Sequence, residues 1–371
     1  MKDNKISVII PIYKVEAFIE RCARSLMEQT IADVELIFVD DCSPDGSVEV
    51  LKRVIAEYPQ RKAQAIILRH EANRGLPSAR NTGLARATGE YIFHCDSDDY
   101  LEHDALEKMY EVAKREDADI VYTDWYLDSS SLTPPVGGRT RYMRCPEYKT
   151  SEEALRGLLH GTMKYNVWNK LVRKTLYGGY ENENEDETLR YEDEDENEDN
   201  GICIIANEDP CCSNSYTSYR FRYRYRSIRF PEGHGMGEDM TLILLFARAK
   251  KVAYLPEGTY HYVRQNENAF TAARSEASYE DLLYNAIRVI DALTGDVSEE
   301  DLACFKLNTK FPFLISNRRE DYERWQQWFP EANRYISSHQ VSRRARTLER
   351  CARHHFFLPL RLHYQLLKLI R

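Results

Sequence analysis

The sequence has no C-x-x-C pair among its nine cysteines, and the adjacent Cys211 and Cys212 suit neither a zinc site nor a regular disulfide framework. It has no glycine-rich phosphate loop near its N-terminus, which argues against a nucleotidyltransferase. The first residues, MKDNKISVIIPIY, hold one short apolar run. That run is too short for a membrane span and lacks the layout of a signal peptide. We therefore expect a cytoplasmic protein in a reducing environment.

The acidic charge of the chain comes from one segment. Residues 181–200 hold twelve carboxylates and one arginine, a local charge of -11 within a total of -9, so the rest of the chain is close to +2. A run of this kind cannot bury enough apolar surface to offset its ordering entropy, and we predict that it is disordered. The net charge of the whole chain therefore implies nothing about its ligands.

Short apolar runs alternate with helical stretches over the first 125 residues. Strands are predicted at 6–12, 34–39, 65–68, 91–94 and 120–122, and helices at 15–28, 47–58, 78–87 and 104–115. This alternation predicts crossover units and a mostly parallel sheet. In such sheets ligands bind beyond the carboxyl ends of the strands, and we expect the functional site there.

Polar side chains follow three of these predicted strands. They are Tyr13, then Asp40 and Asp41, then Asp96, Asp98 and Asp99. Three carboxylates within four residues repel one another unless a cation or donor groups lie between them. Mg²⁺ and Mn²⁺ take oxygen ligands, typically one or two carboxylates together with substrate phosphates. The cluster therefore predicts a divalent-metal and phosphate site, with a solvated acidic turn as the alternative.

The segments SVIIPIY, VELIFVDDCSPDGS and NRGLPSARNTGLARATGEYIFHCDSDD resemble the nucleotide-sugar domain of glycosyltransferase family 2. The resemblance covers residues 5–125, with the motifs in order. It implies an α/β fold of the GT-A type, Rossmann-like, with a mostly parallel central sheet flanked by helices. It also implies a UDP-sugar or another nucleotide-diphosphate sugar as donor, a Mn²⁺ or Mg²⁺ ion, and inversion at the anomeric carbon.

The resemblance also implies roles for individual residues of this half. Contacts to the donor would come from Pro11, Tyr13, Asp40, Asp41, Arg80 and Asp96. Among these, Asp41 would accept a hydrogen bond from the base, and Arg80 would face the diphosphate. Asp98 would ligate the metal, and Asp99 would either ligate it or only orient the loop. Without the resemblance, a surface salt bridge for Arg80 and core-edge packing for Tyr13 remain alternatives.

An inverting transfer also needs a base on the acceptor side. Residues 230–239, FPEGHGMGED, bring glycines that permit close approach to a ligand, followed by Glu238 and Asp239 before an apolar helix. This segment resembles the family's E-D motif, which implies that Asp239 deprotonates the acceptor while Glu238 orients it. The alternative is that two acids simply favour a helix N-terminus.

Three further residues are predicted from the same resemblance. His261 matches a position where some relatives place another metal or diphosphate contact, with a structural histidine as the alternative. Trp168 and Asn169 belong to a W-N-K segment that is predicted to line the acceptor cleft.

About fifty extra residues, 178–226, separate the W-N-K segment from the glycine segment. They contain the acidic run and YRFRYRYR at 219–226, which predicts a strand with one aromatic and one basic face. A surface for nucleic acid or acidic glycan is the less favoured alternative. The insert is either a specificity element or a disruption of the acceptor side.

Residues 271–371 predict helices, and from residue 343 onward basic and apolar residues are interleaved. This pattern predicts a helix on anionic lipid, with docking on the catalytic domain or on a second subunit as an equal alternative.

The expected division of the chain is a donor half at 1–125, an acceptor half at 126–270 and a helical region at 271–371. The predicted function is metal-dependent, inverting sugar transfer to a glycan or lipid-linked acceptor in cell-surface polysaccharide synthesis, at the inner face of the cell membrane. The alternative is a nucleotide-sugar-binding protein without turnover. Nucleic acid is not an expected partner.

Overall fold

The computed structural model describes residues 5–128, 140–178, 227–264 and 275–370. Nearly all of the predicted insert, residues 179–226 with the acidic run and the Tyr/Arg segment, lies outside the described residues. Within the described ranges, no helix combines the length and apolarity that crossing a membrane requires.

The strands of the described chain form one sheet in the order β3-β2-β1-β4-β8-β6-β9-β5, with β7 paired to β6. Their bounds are β1 Ile6–Ile12, β2 Val34–Asp40, β3 Ala65–Arg69, β4 Tyr91–His94, β5 Tyr100–Leu101, β6 Ile120–Asp128, β7 Thr140–Met143, β8 Lys170–Arg173 and β9 Val252–Val263. β1 to β4 are mutually parallel, and β6 is parallel to β9. β8 runs antiparallel between β4 and β6 and joins the two parallel groups.

The α-helices have the bounds α1 Ile19–Met27, α2 Ser47–Glu57, α3 Leu76–Arg86, α4 Ala105–Glu116, α5 Ser151–Leu159, α6 Thr241–Arg248, α7 Glu276–Leu293, α8 Glu299–Lys310, α9 Arg319–Gln327, α10 Arg343–Arg353 and α11 Phe357–Ile370. α1, α2 and α4 cover one face of the sheet, and α3, α5, α6 and α7 cover the other. The predicted α/β class with helices on both faces and a helical C-terminal region is therefore confirmed.

Burial on both faces explains why β1 and β2 consist mostly of apolar residues. Every residue of these strands is buried, and alternate side chains enter the two cores. Val8 and Ile10 face α1 and α2, whereas Ile9 faces α3. A Cβ atom on Gly83 would lie 2.4 Å from Cγ2 of Ile9, so this glycine permits α3 to pack directly on β1. That close packing holds the helix that carries Arg80 against the carboxyl end of the sheet.

Candidate functional site

The guanidinium of Arg80 joins the two acidic motifs that the sequence places far apart. Arg80 is 1% exposed. Its Nη2 donates to Oδ1 of Asp96 at 2.8 Å, and its Nη1 donates to Oδ1 of Asp239 at 3.0 Å. The same Nη1 lies 2.7 Å from Oε1 of Glu238. The aspartate cluster after β4 and the Glu238–Asp239 pair therefore form one site around a buried cation.

This placement differs from the role predicted for Arg80. The structure shows Arg80 bonded to the acids of the site, which it holds together, and its predicted contact with the donor diphosphate stays a prediction. Burial alone would lower the pKa of the guanidinium, but the three carboxylates raise it above its ordinary value, so Arg80 stays charged.

Burial and the neighbouring charges also shift the pKa values of the acids around Arg80. Burial raises the pKa of Asp96 to about 6, against the lowering effect of Arg80. Burial also raises the pKa of Glu238 well above its usual range, and a hydrogen bond to Asp239 adds to that shift. The side chain of Asp239 is 32% exposed, which leaves it open to a ligand.

Asp99 connects the aspartate loop to β9. Its Oδ2 accepts from the hydroxyl of Tyr260 at 2.8 Å, and its Oδ1 accepts from the backbone N–H of Val263 at 2.7 Å. The Tyr260 oxygen in turn accepts from the backbone N–H of Asp96 at 3.1 Å. Both oxygens of the fully buried Asp99 thus bond to protein donors, and the geometry favours the loop-orienting role over metal ligation.

His261 does not lie at the aspartate cluster, although it was predicted as a metal ligand. Successive residues of a strand point to opposite faces, and its neighbour Tyr260 takes the face of the aspartates. The imidazole of His261 is stacked between Tyr100 and Tyr126, at centroid distances of 4.2 and 4.5 Å, and its Nε2 lies 2.7 Å from Oε1 of Glu102. The structure therefore corrects this prediction in favour of a structural histidine.

The donor-facing loops hold the residues predicted to bind the base. Pro11 is buried within β1, and Tyr13 follows that strand with 41% of its surface exposed. Asp40 is buried, and its Oδ1 accepts from the backbone N–H of Ser43, so it fixes the turn as predicted. An exposed aromatic ring at the carboxyl end of β1 is suited to stack on a base.

Asp41 makes more hydrogen bonds to protein groups than the sequence suggested. Its Oδ1 lies 2.7 Å from Nδ1 of His70 and accepts from the backbone N–H of Arg74, while its Oδ2 accepts from the N–H of Gly75 at 2.7 Å. Nε2 of His70 is 2.8 Å from Oγ1 of Thr82 on α3. These contacts fix the orientation of the carboxylate, and Oδ2 keeps a second acceptor direction for a ligand.

The glycine segment before Glu238 is held in place by α7. The Nδ2 of Asn285 donates to the carbonyls of His234 and Met236, both at 3.1 Å. Gly237 has a φ of +83°, a conformation that favours glycine, and it leads into the 3₁₀ turn Glu238–Met240. The first helix of the C-terminal region therefore helps to position Asp239.

The W-N-K segment supports the site from inside rather than lining a cleft. Asn169 is fully buried, and its amide donates to the carbonyl of Thr123 and accepts from Asn166. Trp168 is 6% exposed and stacks on Tyr260 at 4.6 Å, behind the hydroxyl that holds the aspartate loop. The structure thus corrects the predicted acceptor contacts: both side chains are buried among protein groups.

Several residues of the site were missed by the sequence analysis. Tyr260 and Asn285 contact the motifs through long-range packing, which no local pattern reveals. The alternation of aromatic residues in YHYV at 260–263 was the one available signal for Tyr260.

Lys170 is buried next to Asn169, and its titration provides a test of that burial. It is 1% exposed, its Nζ donates to the carbonyls of Lys164 and Asn166, and burial lowers its pKa from 10.5 to about 7. Between these two values the unfolded chain binds a proton that the folded chain has lost. The free energy of unfolding should therefore rise with pH by about 1.4 kcal/mol per unit from this residue.

The measurement is urea unfolding of wild type and Lys170→Met between about pH 7 and pH 9. Wild type should gain stability relative to Lys170→Met as the pH rises, whereas Lys164→Met, at an exposed position, should run parallel to wild type. Parallel profiles for wild type and Lys170→Met would contradict the assignment.

The number of carboxylates at the site limits how many protein ligands a metal ion could have there. Within the described ranges, no group of three or more His, Cys, Asp or Glu side chains converges as a metal site would require. Asp96 and Asp98 are partly buried neighbours on one loop, whereas Asp99 and His261 bond elsewhere. Two carboxylates suit a Mg²⁺ or Mn²⁺ ion that completes its coordination with substrate phosphates and water.

The chain is similar to proteins that are named glycosyltransferases. Residues 7–171 match the family model for glycosyl transferase family 2. Glycosyltransferase EpsJ of Bacillus subtilis is 29% identical over 320 residues, which is 84% of this chain and 77% of EpsJ. Cholesterol galactosyltransferase of Borreliella burgdorferi is 33% identical over 182 residues, 46% of this chain, and the match spans about half of that relative, 49%.

The fold is also that of a solved structure. The crystal structure of residues 1–349 of S. aureus TarS with UDP-GlcNAc superposes with a TM-score of 0.61 at 19% identity, covering 99% of this chain and 92% of that one. This likeness supports the predicted GT-A type of α/β fold. The matched segment includes the strands that carry the aspartate cluster, so residues 7–171 are similar to a glycosyl transferase family 2 domain, and EpsJ, which aligns over most of the chain, is named a glycosyltransferase.

Proposed function

We propose that the protein is an inverting, metal-dependent glycosyltransferase that moves a sugar from a UDP-sugar to a hydroxyl of a glycan or lipid-linked acceptor. The observation that carries the proposal is the contact of Arg80 with both Asp96 and Asp239. Through this contact the loop of Asp96, which is predicted to bind the donor, and Asp239, the predicted base, bond to the same guanidinium group. A site that only bound the donor would have no need for a partly exposed carboxylate on the acceptor side.

Asp239 is the base in this proposal. It takes the proton of the acceptor hydroxyl while the hydroxyl oxygen forms a bond to the anomeric carbon. The bond from that carbon to the diphosphate oxygen breaks at the opposite side, so the configuration inverts and the nucleoside diphosphate leaves. Arg80 keeps Asp239 oriented, and the buried Glu238 shares the same guanidinium nitrogen with it.

Asp98, together with Asp96, would hold the Mn²⁺ or Mg²⁺ ion. When bound, the ion would neutralise charge on the leaving diphosphate. Asp99 acts on this pair indirectly, since its bonds to Tyr260 and Val263 fix the loop. Tyr13 stacks on the donor base in this arrangement, and Asp41 accepts from the base.

A uracil base fits the donor side, because its imide N–H can donate to the remaining acceptor direction of Asp41. The TarS structure of the same fold holds UDP-GlcNAc. Two relatives are named as a cholesterol galactosyltransferase and a poly(ribitol-phosphate) beta-glucosyltransferase, so their names give a sterol and a polymer as acceptors. We therefore propose a role in cell-surface polysaccharide or glycolipid synthesis, at the inner face of the cell membrane.

The alternative, donor binding without turnover, rests on the sequence position of residues 178–226, which interrupt the segment 126–270 predicted to form the acceptor half. Release of nucleotide from a UDP-sugar in the presence of Mn²⁺ and acceptor separates the two proposals, because a binding protein would release none.

The metal role is tested by thermal unfolding with a panel of nucleotide sugars. We expect one donor to raise the melting temperature only when Mn²⁺ or Mg²⁺ is present, and Asp98→Ala to abolish that rise. The control is Asp104→Ala, an acid at the start of α4 whose change should leave the donor effect intact. Donor stabilisation that persists in Asp98→Ala would contradict the metal assignment.

A further inference from the structure

The C-terminal helix α11 has apolar residues on two opposite faces. One face packs on the protein, since Leu360 is fully buried and Phe357 stacks on a tyrosine of α9. The opposite face bears Leu358, Leu362 and Leu366, which are 69%, 51% and 51% exposed. Their four-residue spacing aligns them in a single stripe. The described part of the chain leaves this stripe uncovered.

The last two helices carry many exposed basic side chains. Five exposed arginines lie on α10 and α11: Arg343, Arg344, Arg350, Arg353 and Arg361. The sequence from 342 to 366 has one acid, Glu349, which is fully buried with its Oε1 2.6 Å from Nδ1 of His339. The two helices therefore expose positive charge and no carboxylate.

Basic side chains lie at both edges of the stripe. By helical spacing Arg361 lies on one flank of the leucines and His363 on the other. The pKa of His363 is lowered by burial and further by the positive charge of Arg344. Phe356, 62% exposed, extends the apolar area at the start of the helix. We call the five arginines, Phe356 and the three leucines the C-terminal surface.

We propose that the C-terminal surface docks on a membrane that contains anionic lipids. The leucine stripe enters the boundary between headgroups and acyl chains, and the arginines contact the phosphates. An apolar stripe with basic flanks is the pattern that lies in the plane of such an interface. Anionic headgroups supply the negative charge that the surface itself lacks.

Two other occupants fit less well. A second copy on a two-fold axis would place the five arginines against the same five, with no exposed acid on α10 or α11 to separate them. A nucleic acid would match the arginines but would leave three leucines without an apolar partner. A lipid surface with anionic headgroups provides both chemistries at once.

The inference goes beyond the proposed reaction and does not depend on it. If both hold, docking brings the transferase to the surface where lipid-linked acceptors reside. The two are tested separately, because donor-dependent thermal stabilisation is measured without vesicles.

The experiment is cosedimentation of the full chain with vesicles of phosphatidylcholine alone or mixed with phosphatidylglycerol. We expect binding to the mixed vesicles only, weakened by salt. Replacing Leu358 or Leu362 by Asp should weaken binding about tenfold for each leucine. Replacing Arg344 or Arg361 by Glu should weaken it about fivefold or more for each arginine.

Matched controls lie on other helices. Ile287→Asp changes an exposed isoleucine of α7, and Arg319→Glu changes an exposed arginine of α9; both should bind like wild type. Thermal unfolding checks that each variant is folded. Binding that is absent in wild type, or that is unaffected by the leucine and arginine changes, overturns the proposal. So does a dimer in sedimentation velocity that the leucine changes dissociate, since it would assign the surface to a second copy.

Discussion

Asp239→Asn should lower the transfer rate by about 10²- to 10⁴-fold, the contribution of a positioned general base. The amide has nearly the same shape and can still accept from Nη1 of Arg80, but it cannot take the acceptor proton. The substitution should therefore lower the turnover rate, while the affinity for the donor with Mn²⁺ stays within a few-fold of wild type. Steady-state kinetics with a UDP-sugar and acceptor, together with donor-dependent thermal shifts, measure the two quantities on the same preparation.

The control for this change is Glu232→Gln, which neutralises an exposed acid in the same segment. Its partners are Arg74 and Asn81, outside the Arg80 network, and its rate should stay near that of wild type. Equal nucleotide release by wild type and Asp239→Asn would contradict the assignment of the base. No release by wild type with any donor would instead favour the binding-only alternative.

Arg80→Met should destabilise the protein by about 3–5 kcal/mol, the cost of removing one partner from a buried ion network. The substitution keeps much of the side-chain volume but leaves three carboxylates without their cation. Asp96 and Asp239 then lose the group that orients them, so donor binding and turnover should fall together. Urea unfolding gives the first quantity, and thermal shifts and kinetics give the others.

Two further variants make this test specific. Arg74→Met removes an exposed arginine whose side chain is 53% accessible and whose partner is Glu232, and it should cost less than about 1 kcal/mol. Arg80→Lys keeps the charge, but one ammonium cannot reproduce the planar, forked contacts to three carboxylates, so its loss should be intermediate. A cost in Arg80→Met as small as in Arg74→Met would show that the network contributes little.

The carboxylates at the ends of β2 and β4 were predictable because local patterns specify them. Buried parallel strands need continuous apolar runs, and the polar residues that follow such runs must lie at the same edge of the sheet. The order of strands and helices over the first half follows from the same periodicity. The aspartate cluster, the base-side loops and the E-D pair could therefore all be located before any coordinates were known.

The partners of those residues could not be predicted in this way. Arg80 and Asp239 are 159 positions apart, and Tyr260 and Asp99 are 161 apart. Whether a polar side chain faces a ligand or another protein group depends on which distant segment packs against it. Asn169 and His261 were misassigned for this reason: each lies in a motif near the site, yet each points into protein.

The sequence by itself determined the fold class, the edge of the sheet that carries the site, and the chemistry of its acids, because these depend on local periodicity and residue type. The tertiary structure decided which acids remain open to a ligand. Both oxygens of Asp99 accept hydrogen bonds from β9, and His70 orients Asp41. Carboxylates from both halves of the site surround Arg80. Burial and long-range contacts set these roles, since a charged group removed from water must find its partner within the fold.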